Sequence, residues 1–275
     1  LMNSRCNNSS VSLGDLRLSY STFGNGNMHI IAFHGHGRSS KDFEFLGKIG
    51  KVISIDLFFH GESYFPLTRI EKNPLKTSEF YLLFKEILKN EQVKSYHLIA
   101  FSQGGRFALS ILPDELNHLL SIQLISPDGM DNKSFYNRMS RNKWARNLFI
   151  KWERNPKKVI RYAGIADKLG LIRPKVHAFI KKFASEKQTF LRASQTWRGF
   201  RMIQADEDRL KTSLATYNGY FRIIMGKFDQ VIRTKQAKTF LTRIDQRNTL
   251  VELACGHDFF NEINLPLLKD ILEFN

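Results

Sequence analysis

Apolar residues follow two alternating patterns along this chain of 275 residues. Short apolar or alternating runs predict strands at 15–23, 28–34, 51–57, 95–101, 121–126, 220–226 and 248–254. Apolar positions at helical spacing lie between several of these runs, as at 77–90 and at 103–112, where Pro113 should end the helix. Strands that alternate with helices predict crossover connections, and therefore an α/β fold with a mainly parallel sheet.

The strand pattern stops near residue 128 and returns near residue 216. Between these points the spacing predicts amphipathic helices, so we divide the chain into a core of 1–127 and 216–275 and an inserted helical segment, 128–215. Ten aromatic residues of this segment should mostly form the buried stripe of its helices: Phe135, Tyr136, Trp144, Phe149, Trp152, Phe179, Phe183, Phe190, Trp197 and Phe200.

Positive charge is concentrated in the same segment. The whole chain carries a formal net charge of +16, and residues 128–215 hold 21 Lys and Arg against 8 Asp and Glu. Such an excess is typical of a solvated surface, or of a site for an anionic substrate, an acidic membrane surface or a nucleic acid. A membrane surface is compatible with this charge but is not required, and a nucleic acid is not expected.

The cysteines and the apolar runs exclude several classes of protein. Cys6 and Cys255 are too few for a disulfide framework, and no apolar run approaches the length of a membrane-spanning helix. The start, LMNSRCNNSS, lacks the apolar centre of a signal peptide, although a removed one would leave no trace. We therefore expect a reduced, cytoplasmic setting. No His-x-x-x-His or Cys-x-x-Cys pair gives metal-ligand spacing, and no cofactor or metal is expected.

Chemistry is suggested by the stretch LIAFSQGGRFALS, residues 98–110. An apolar strand ends at Ser102, and a helix begins directly after it. A serine hydroxyl attacks a substrate only when a base removes its proton and when the turn holds it clear of the sheet. Such a turn needs small residues two positions before and after the serine, and here these are Ala100 and Gly104.

Four further motifs show that the chain resembles the α/β-hydrolase fold family over nearly its whole length. HGHG at 34–37 resembles the family's oxyanion loop, and DLFFHGES at 56–63 resembles its Asp-x-x-Gly-His-Gly-x-Ser loop, with Phe59 where glycine is usual. MGKFDQVI at 225–232 and LACGHDFF at 253–260 resemble the loops that carry the catalytic acid and histidine. The resemblance implies an α/β-hydrolase fold in which 128–215 forms a helical cap, or lid.

The resemblance also implies a serine hydrolase with a catalytic triad. Ser102 is then the nucleophile, His257 the base and Asp229 the acid, while the backbone N–H groups of His36 and Gln103 form the oxyanion hole. The expected reaction is hydrolysis of a carboxylic ester or thioester through an acyl-enzyme on Ser102. The expected substrate is a small acyl compound, either with or without an anionic group.

Several residues near these motifs have a second interpretation. Asp128 also follows a strand, and some relatives place the acid there. His34 and His60 should brace loops, and Cys255 should serve packing. Arg38 and Arg106 lie where they could bind an anionic group of the substrate, or they are ordinary surface residues.

Other activities remain open at this point. SQGGRFAL resembles the menaquinone-pathway lyases of the same fold, which act on an anionic substrate. A lyase, a C–C hydrolase or an acyltransferase for a carboxylated substrate would use the same triad. A non-catalytic protein that binds acidic lipid or nucleic acid is a further alternative. An epoxide hydrolase or haloalkane dehalogenase is excluded, since it would carry aspartate in place of Ser102.

Overall fold

The computed structural model describes residues 6–131, 135–172, 177, 181, 184–246 and 249–274. Its sheet consists of eight strands: β1 (Asn7–Leu13), β2 (Leu16–Phe23), β3 (His29–Phe33), β4 (Lys51–Asp56), β5 (Tyr96–Phe101), β6 (Leu119–Ile125), β7 (Tyr220–Gly226) and β8 (Leu250–Leu253).

The strands lie in the order β1-β2-β4-β3-β5-β6-β7-β8. β2 pairs antiparallel with both β1 and β4, whereas every pair from β4 to β8 is parallel. The predicted α/β fold with a mainly parallel sheet is confirmed. Because the central strands are parallel, their carboxyl ends share one edge of the sheet, and the loops that follow β3, β5, β7 and β8 start there.

The helices lie between and after these strands. In chain order they are α1 (Arg69–Lys72), α2 (Thr77–Asn90), α3 (Gln103–Glu115), α4 (Phe135–Arg141), α5 (Lys143–Arg154), α6 (Pro156–Lys168), α7 (Lys187–Gly199), α8 (Glu207–Leu214), α9 (Thr234–Arg243) and α10 (Asn264–Ile271), with 3₁₀ turns at Ser40–Lys48 and Leu116–His118. Helix α3 continues through Pro113 instead of ending there. The fixed φ of proline suits a helix. Close to the end of α3, Pro113 therefore costs the helix only one backbone hydrogen bond and some local crowding.

The central strands are buried on both faces, which explains their continuous apolar runs. Ile30, Ile99, Leu124 and Ile224 are fully buried within β3, β5, β6 and β7. Helix α2 contributes Phe80, whose ring lies edge-on to Phe107 of α3 at 4.7 Å between centroids and edge-on to Phe33 of β3 at 5.8 Å. This packing forms a rigid base for the loops at the carboxyl edge.

The chain divides into two compact units. The first comprises Leu1–Pro66, Lys76–Asn132 and Met202–Asn275 and contains the sheet. The second comprises Leu67–Leu75 and Lys133–Arg201, and its described elements are helical. These bounds differ from the predicted segment 128–215, because helix α8 packs on α3 and belongs to the sheet unit. The lid function of the segment stays a prediction.

Within the second unit the aromatic stripe is only partly confirmed. Phe190, Trp197 and Phe200 are buried, and Phe149 packs on Trp197 with 4.3 Å between ring centroids. Trp144 is instead 83 % exposed. The side chains of Phe135 and Tyr136, and residues Phe179 and Phe183, lie outside the described part of the chain. No helix among the described residues is both long and apolar enough to cross a membrane.

Candidate active site

Ser102 stands at a strained turn between β5 and α3. Its backbone has φ 49° and ψ −115°, a conformation that residues with a side chain rarely adopt. Three hydrogen bonds hold it: its N–H donates to the carbonyl of Ile125 at 2.9 Å, and its carbonyl accepts from the N–H groups of Gly105 at 2.9 Å and Asp128 at 2.8 Å. The surrounding structure therefore maintains the strain and fixes the direction of the side chain.

The glycines after Ser102 are required by close packing. A Cβ atom on Gly104 would lie 2.3 Å from the carbonyl oxygen of Phe33, and one on Gly105 would lie 2.3 Å from Cβ of Pro127. Ala100, two residues before the serine, is completely buried in β5. The helix can thus start against the ends of the neighbouring strands only with small residues at these positions, as the sequence predicts.

His257 lies within hydrogen-bonding distance of this serine. Its Nε2 is 3.0 Å from Oγ of Ser102, and its Nδ1 is 2.6 Å from Oδ2 of Asp229. A carboxylate only accepts, so Nδ1 carries the proton and Nε2 is left to accept from the serine hydroxyl. The ring also packs on Phe101, with 5.2 Å between centroids. The structure therefore brings together the three residues that the sequence singled out as a triad.

Asp229 is held by four hydrogen bonds in a buried position. Oδ1 accepts from the N–H groups of Val231 at 2.7 Å and Ile232 at 2.9 Å, while Oδ2 accepts from His257 and, at 2.9 Å, from Oγ of Ser126. Burial raises the pKa of this carboxyl. The hydrogen bond and charge of His257 and the two backbone donors lower the pKa, and together their effect is larger than that of burial. The net pKa of Asp229 lies below its ordinary value, and the group is ionised at neutral pH.

Ser126 is a site residue that the sequence reasoning missed. It follows β6 and is completely buried, and its N–H donates to the carbonyl of Ile224 at 2.7 Å. Its φ of 36° is positive, which turns the hydroxyl towards Asp229. The available signal was a serine at the carboxyl end of an apolar strand, next in the chain to the strand of Ser102.

Asp128, the alternative acid, has a different partner. Its carboxylate binds Arg106 through two hydrogen bonds, of 2.8 Å to Nε and 3.1 Å to Nη2, and also accepts from the N–H of Gly129. Nη1 of Arg106 donates to the carbonyl of Ile203 at 3.2 Å. The Arg106 side chain is almost entirely buried. The guanidinium that we expected at the surface or on a substrate is therefore engaged inside the sheet unit.

Arg38 joins two loops of the site. Its Nη2 donates to Asp42 at 3.0 Å and its Nε forms a second hydrogen bond with the same carboxylate. Nη1 lies 3.5 Å from Asp258, the residue after His257, and the guanidinium lies 5.0 Å from the ring centroid of Phe260. The charge predicted for substrate binding is thus balanced by Asp42, and Arg38 connects the 34–38 loop to the histidine loop.

His34 braces the start of the oxyanion loop, as expected. It is completely buried, its Nδ1 donates to the carbonyl of Gly35 at 2.7 Å, and its Nε2 accepts from the N–H of Leu57 at 3.0 Å. Burial lowers the pKa of His34, and this effect exceeds the opposing influence of the Gly35 carbonyl and of nearby carboxylates. The neutral ring makes one donor and one acceptor contact, so both nitrogens are used.

His60 braces the same loop from the other side. Its Nε2 accepts from the N–H of Gly37 at 2.9 Å, and its Nδ1 donates to the carbonyl of Phe58 at 3.1 Å. Phe59, which stands where the family has glycine, has a φ of 67°. This left-handed conformation explains the usual glycine, and here it is imposed on a bulky side chain.

The oxyanion hole of His36 and Gln103 stays a prediction, and the structure describes the chain around both residues. Gln103 is the first residue of α3, where a helix N–H has no acceptor within the helix. His36 follows Gly35, on which a Cβ atom would lie 3.2 Å from Cβ of Ser102 and 2.7 Å from the Phe101 ring. The loop therefore passes directly beside the serine.

Cys255 is buried near the site. Burial raises the pKa of its thiol, and the charge of Asp229 raises it further. A neutral buried thiol agrees with the packing function expected from the sequence. No cluster of three or more His, Cys, Asp or Glu side chains suited to a metal ion exists in the part of the chain that the structure describes.

Comparisons with known proteins identify the fold. No protein-family profile and no curated protein matches the sequence. Among solved structures, an alpha/beta hydrolase fold protein from Burkholderia ambifaria matches with a TM-score of 0.61 and 16% identity, over 96% of each chain. A thermophilic esterase from Thermogutta terrifontis gives 0.65 and 15%, over 96% of this chain and 95% of the other. The thioesterase domain of the curacin biosynthetic pathway gives 0.64 and 12%, over 98% and 100%. The chain therefore has the α/β-hydrolase fold.

Proposed function

We propose that the protein is a serine hydrolase that cleaves a carboxylic ester or thioester through an acyl-enzyme on Ser102. The observation that carries the proposal is the continuous chain of hydrogen bonds from the Ser102 hydroxyl through His257 to the ionised Asp229. A solitary capping serine would not need a strained backbone, a histidine at 3.0 Å and a buried carboxylate behind it.

In the first half of the reaction, Oγ of Ser102 attacks the acyl carbonyl while Nε2 of His257 takes its proton. The carbonyl oxygen becomes negative, and the N–H groups of His36 and Gln103 stabilise it. The bond to the alcohol or thiol breaks, and His257 returns the proton to that leaving group. In the second half a water molecule repeats the sequence on the acyl-enzyme and releases the acid.

Asp229 makes this proton transfer efficient. Its carboxylate accepts a hydrogen bond from the Nδ1–H of His257, which keeps Nε2 directed at Ser102 and stabilises the positive charge that the ring acquires. Because the pKa of Asp229 is lowered, the negative charge of its carboxylate is present across the neutral range.

The substrate that we propose has an uncharged acyl group. Arg38 and Arg106 are both paired with carboxylates, so neither is assigned to an anionic substrate. The side chains of Phe228 and Val231, which flank Asp229 in sequence, are exposed and apolar and suit a hydrocarbon chain. The esterase and thioesterase neighbours support this class of reaction.

A panel of p-nitrophenyl esters and acyl thioesters of increasing chain length tests the proposal. The protein should release p-nitrophenol or thiol, and Ser102→Ala should abolish the release. The matched control is Ser110→Ala in the same helix, whose hydroxyl donates to the carbonyl of Phe107. Turnover of carboxylated C–C substrates without turnover of any ester would favour the C–C hydrolase alternative instead. Full activity of Ser102→Ala would refute the proposed nucleophile.

A further inference from the structure

Two consecutive helices of the second unit present large apolar side chains to solvent. On α5, Trp144 is 83 % exposed and Leu148 is also exposed. On α6, Tyr162 is 55 % exposed and Ile165 is 47 % exposed, and Leu169, the residue directly after the helix, is 67 % exposed. Such side chains in contiguous groups usually mark an interaction surface. We call these five residues, with the cations described below, the α5–α6 face.

The spacing shows that each group occupies one side of its helix. Trp144 and Leu148 are four residues apart on α5, whereas Ala145 is buried and Phe149 packs inward on Trp197. Tyr162 and Ile165 of α6 and the capping residue Leu169 follow at intervals of three and four, and Ala163 is buried. The two helices adjoin at Asn155 and contact each other. Each helix therefore has two apolar sides: one packs against the rest of the second unit, and the other is exposed to solvent.

Positive charge surrounds these rows. Seven cationic side chains on the two helices are exposed: Lys143, Lys151, Arg154, Lys157, Lys158, Arg161 and Lys168. None of the seven forms an ion pair with another described residue. The acids of the two helices are engaged elsewhere, since Glu153 binds Arg198 and Asp167 binds His177. The charge of the face is thus available to an external anionic partner.

We propose that the α5–α6 face docks the protein on an anionic lipid bilayer. Exposed Trp, Tyr and Leu side chains beside Lys and Arg match the boundary between acyl chains and anionic headgroups. A nucleic acid would use the cations and aromatic rings but would leave the aliphatic Leu148, Ile165 and Leu169 in water. The helices lie on the bilayer, as neither could cross it.

This attachment is independent of the proposed reaction. The face contains no residue of the triad, so Ser102→Ala should bind vesicles as well as the unaltered protein does. Loss of the proposed hydrolase function would leave the docking proposal standing, and the reverse also holds.

Co-sedimentation with vesicles of equal parts phosphatidylcholine and phosphatidylserine, compared with phosphatidylcholine alone, is the test. The mixed vesicles should bind the protein more tightly, and added salt should weaken the binding. Replacing Lys151, Lys157 and Lys158 by Gln should reduce affinity about a hundredfold, at about fivefold for each lost cation. The matched control replaces Lys48, Lys94 and Lys235, exposed cations of the sheet unit, by Gln and should change affinity much less.

Tryptophan emission tests the apolar half of the proposal. Trp144 should leave water on binding, and so emission should shift to the blue, whereas Trp144→Phe should still bind but lose most of this shift. Leu148→Ala with Leu169→Ala should weaken binding at high salt, where charge attraction is screened. Equal effects of the two triple lysine variants, an unchanged shift in Trp144→Phe, or binding to oligonucleotide in preference to mixed vesicles would overturn the proposal.

Discussion

Oγ of Ser126 donates to Oδ2 of Asp229, the same oxygen atom that accepts from His257. The acid is thus positioned from the neighbouring strand end as well as by the backbone of its own loop. Ser126 touches neither Ser102 nor His257 in any hydrogen bond among the described residues, and we regard it as a positioning residue.

Ser126→Ala should lower kcat about tenfold with little change in KM, because a hydrogen bond to a charged, buried acceptor is lost. Ser126→Gly should show the same loss of kcat although glycine accepts the positive φ of this position. Steady-state kinetics and thermal unfolding of both variants separate the hydroxyl from the backbone. Recovery of full activity in Ser126→Gly would mean that only the backbone matters.

Asp229→Asn should reduce kcat by about 10³–10⁴-fold, since an amide favours the wrong tautomer of His257. Asp128→Asn is the matched comparison, and it should keep kcat within a factor of a few. It should instead lower the free energy of unfolding by about 2 kcal/mol, because the buried Arg106 loses a charged partner. Kinetics and urea unfolding on both variants measure this contrast. The opposite ranking of activities would transfer the acid to Asp128.

His34 should make the protein less stable in mild acid. Burial lowers its pKa in the folded state, while the unfolded chain titrates near pH 6.5. As the pH falls below about 6.5, the unfolded chain therefore gains a proton that the folded protein resists, and the free energy of unfolding decreases. His34→Gln should flatten this decrease in urea unfolding between about pH 7 and pH 5. An unchanged slope would mean that the loss of stability in acid comes from His97 and His29, whose pKa values burial also lowers.

Glu71 should hold the short segment Leu67–Leu75 in the second unit. It accepts from Arg146 at 2.9 Å and from Arg198 at 2.8 Å. Burial raises the pKa of this carboxyl, but the two arginines lower it by more than burial raises it. The net pKa therefore lies below its ordinary value. Glu71→Gln should speed tryptic cleavage at Arg69 and Lys72, seen as new fragments by mass spectrometry. Glu86→Gln, at an exposed pair with Lys89, is the control. Equal cleavage rates would argue against this anchoring.

Local chemistry allowed much of this site to be predicted from the sequence. The small residues that the turn at Ser102 requires can be identified directly in the sequence. The parallel strands then predict that the loops carrying the triad lie at one edge of the sheet. Strand β1 was missed because Asn7–Leu13 is polar and buries only Val11, so its pairing with β2 rather than its own apolar pattern makes it a strand.

Contacts between distant parts of the chain could not be predicted. Arg106 and Asp128 are 22 residues apart, and only the close approach of α3 to the end of β6 pairs them. The hydroxyl of Ser126 reaches Asp229 because of one positive φ, and serine has no strong sequence signal for that conformation. The exposure of Trp144 contradicts its apolar character, and no helical pattern shows which apolar positions a partner will cover.

Peptide mapping after reaction with a fluorophosphonate tests the nucleophile most directly. Tryptic cleavage should release Ser95–Arg106, which contains two serines, Ser95 and Ser102. We expect a single phosphonate on Ser102 in the fragment spectrum, no adduct in Ser102→Ala, and a greatly slowed reaction in a folded His257→Ala. A phosphonate on another residue, or undiminished labelling of Ser102→Ala, would contradict the acyl-enzyme mechanism.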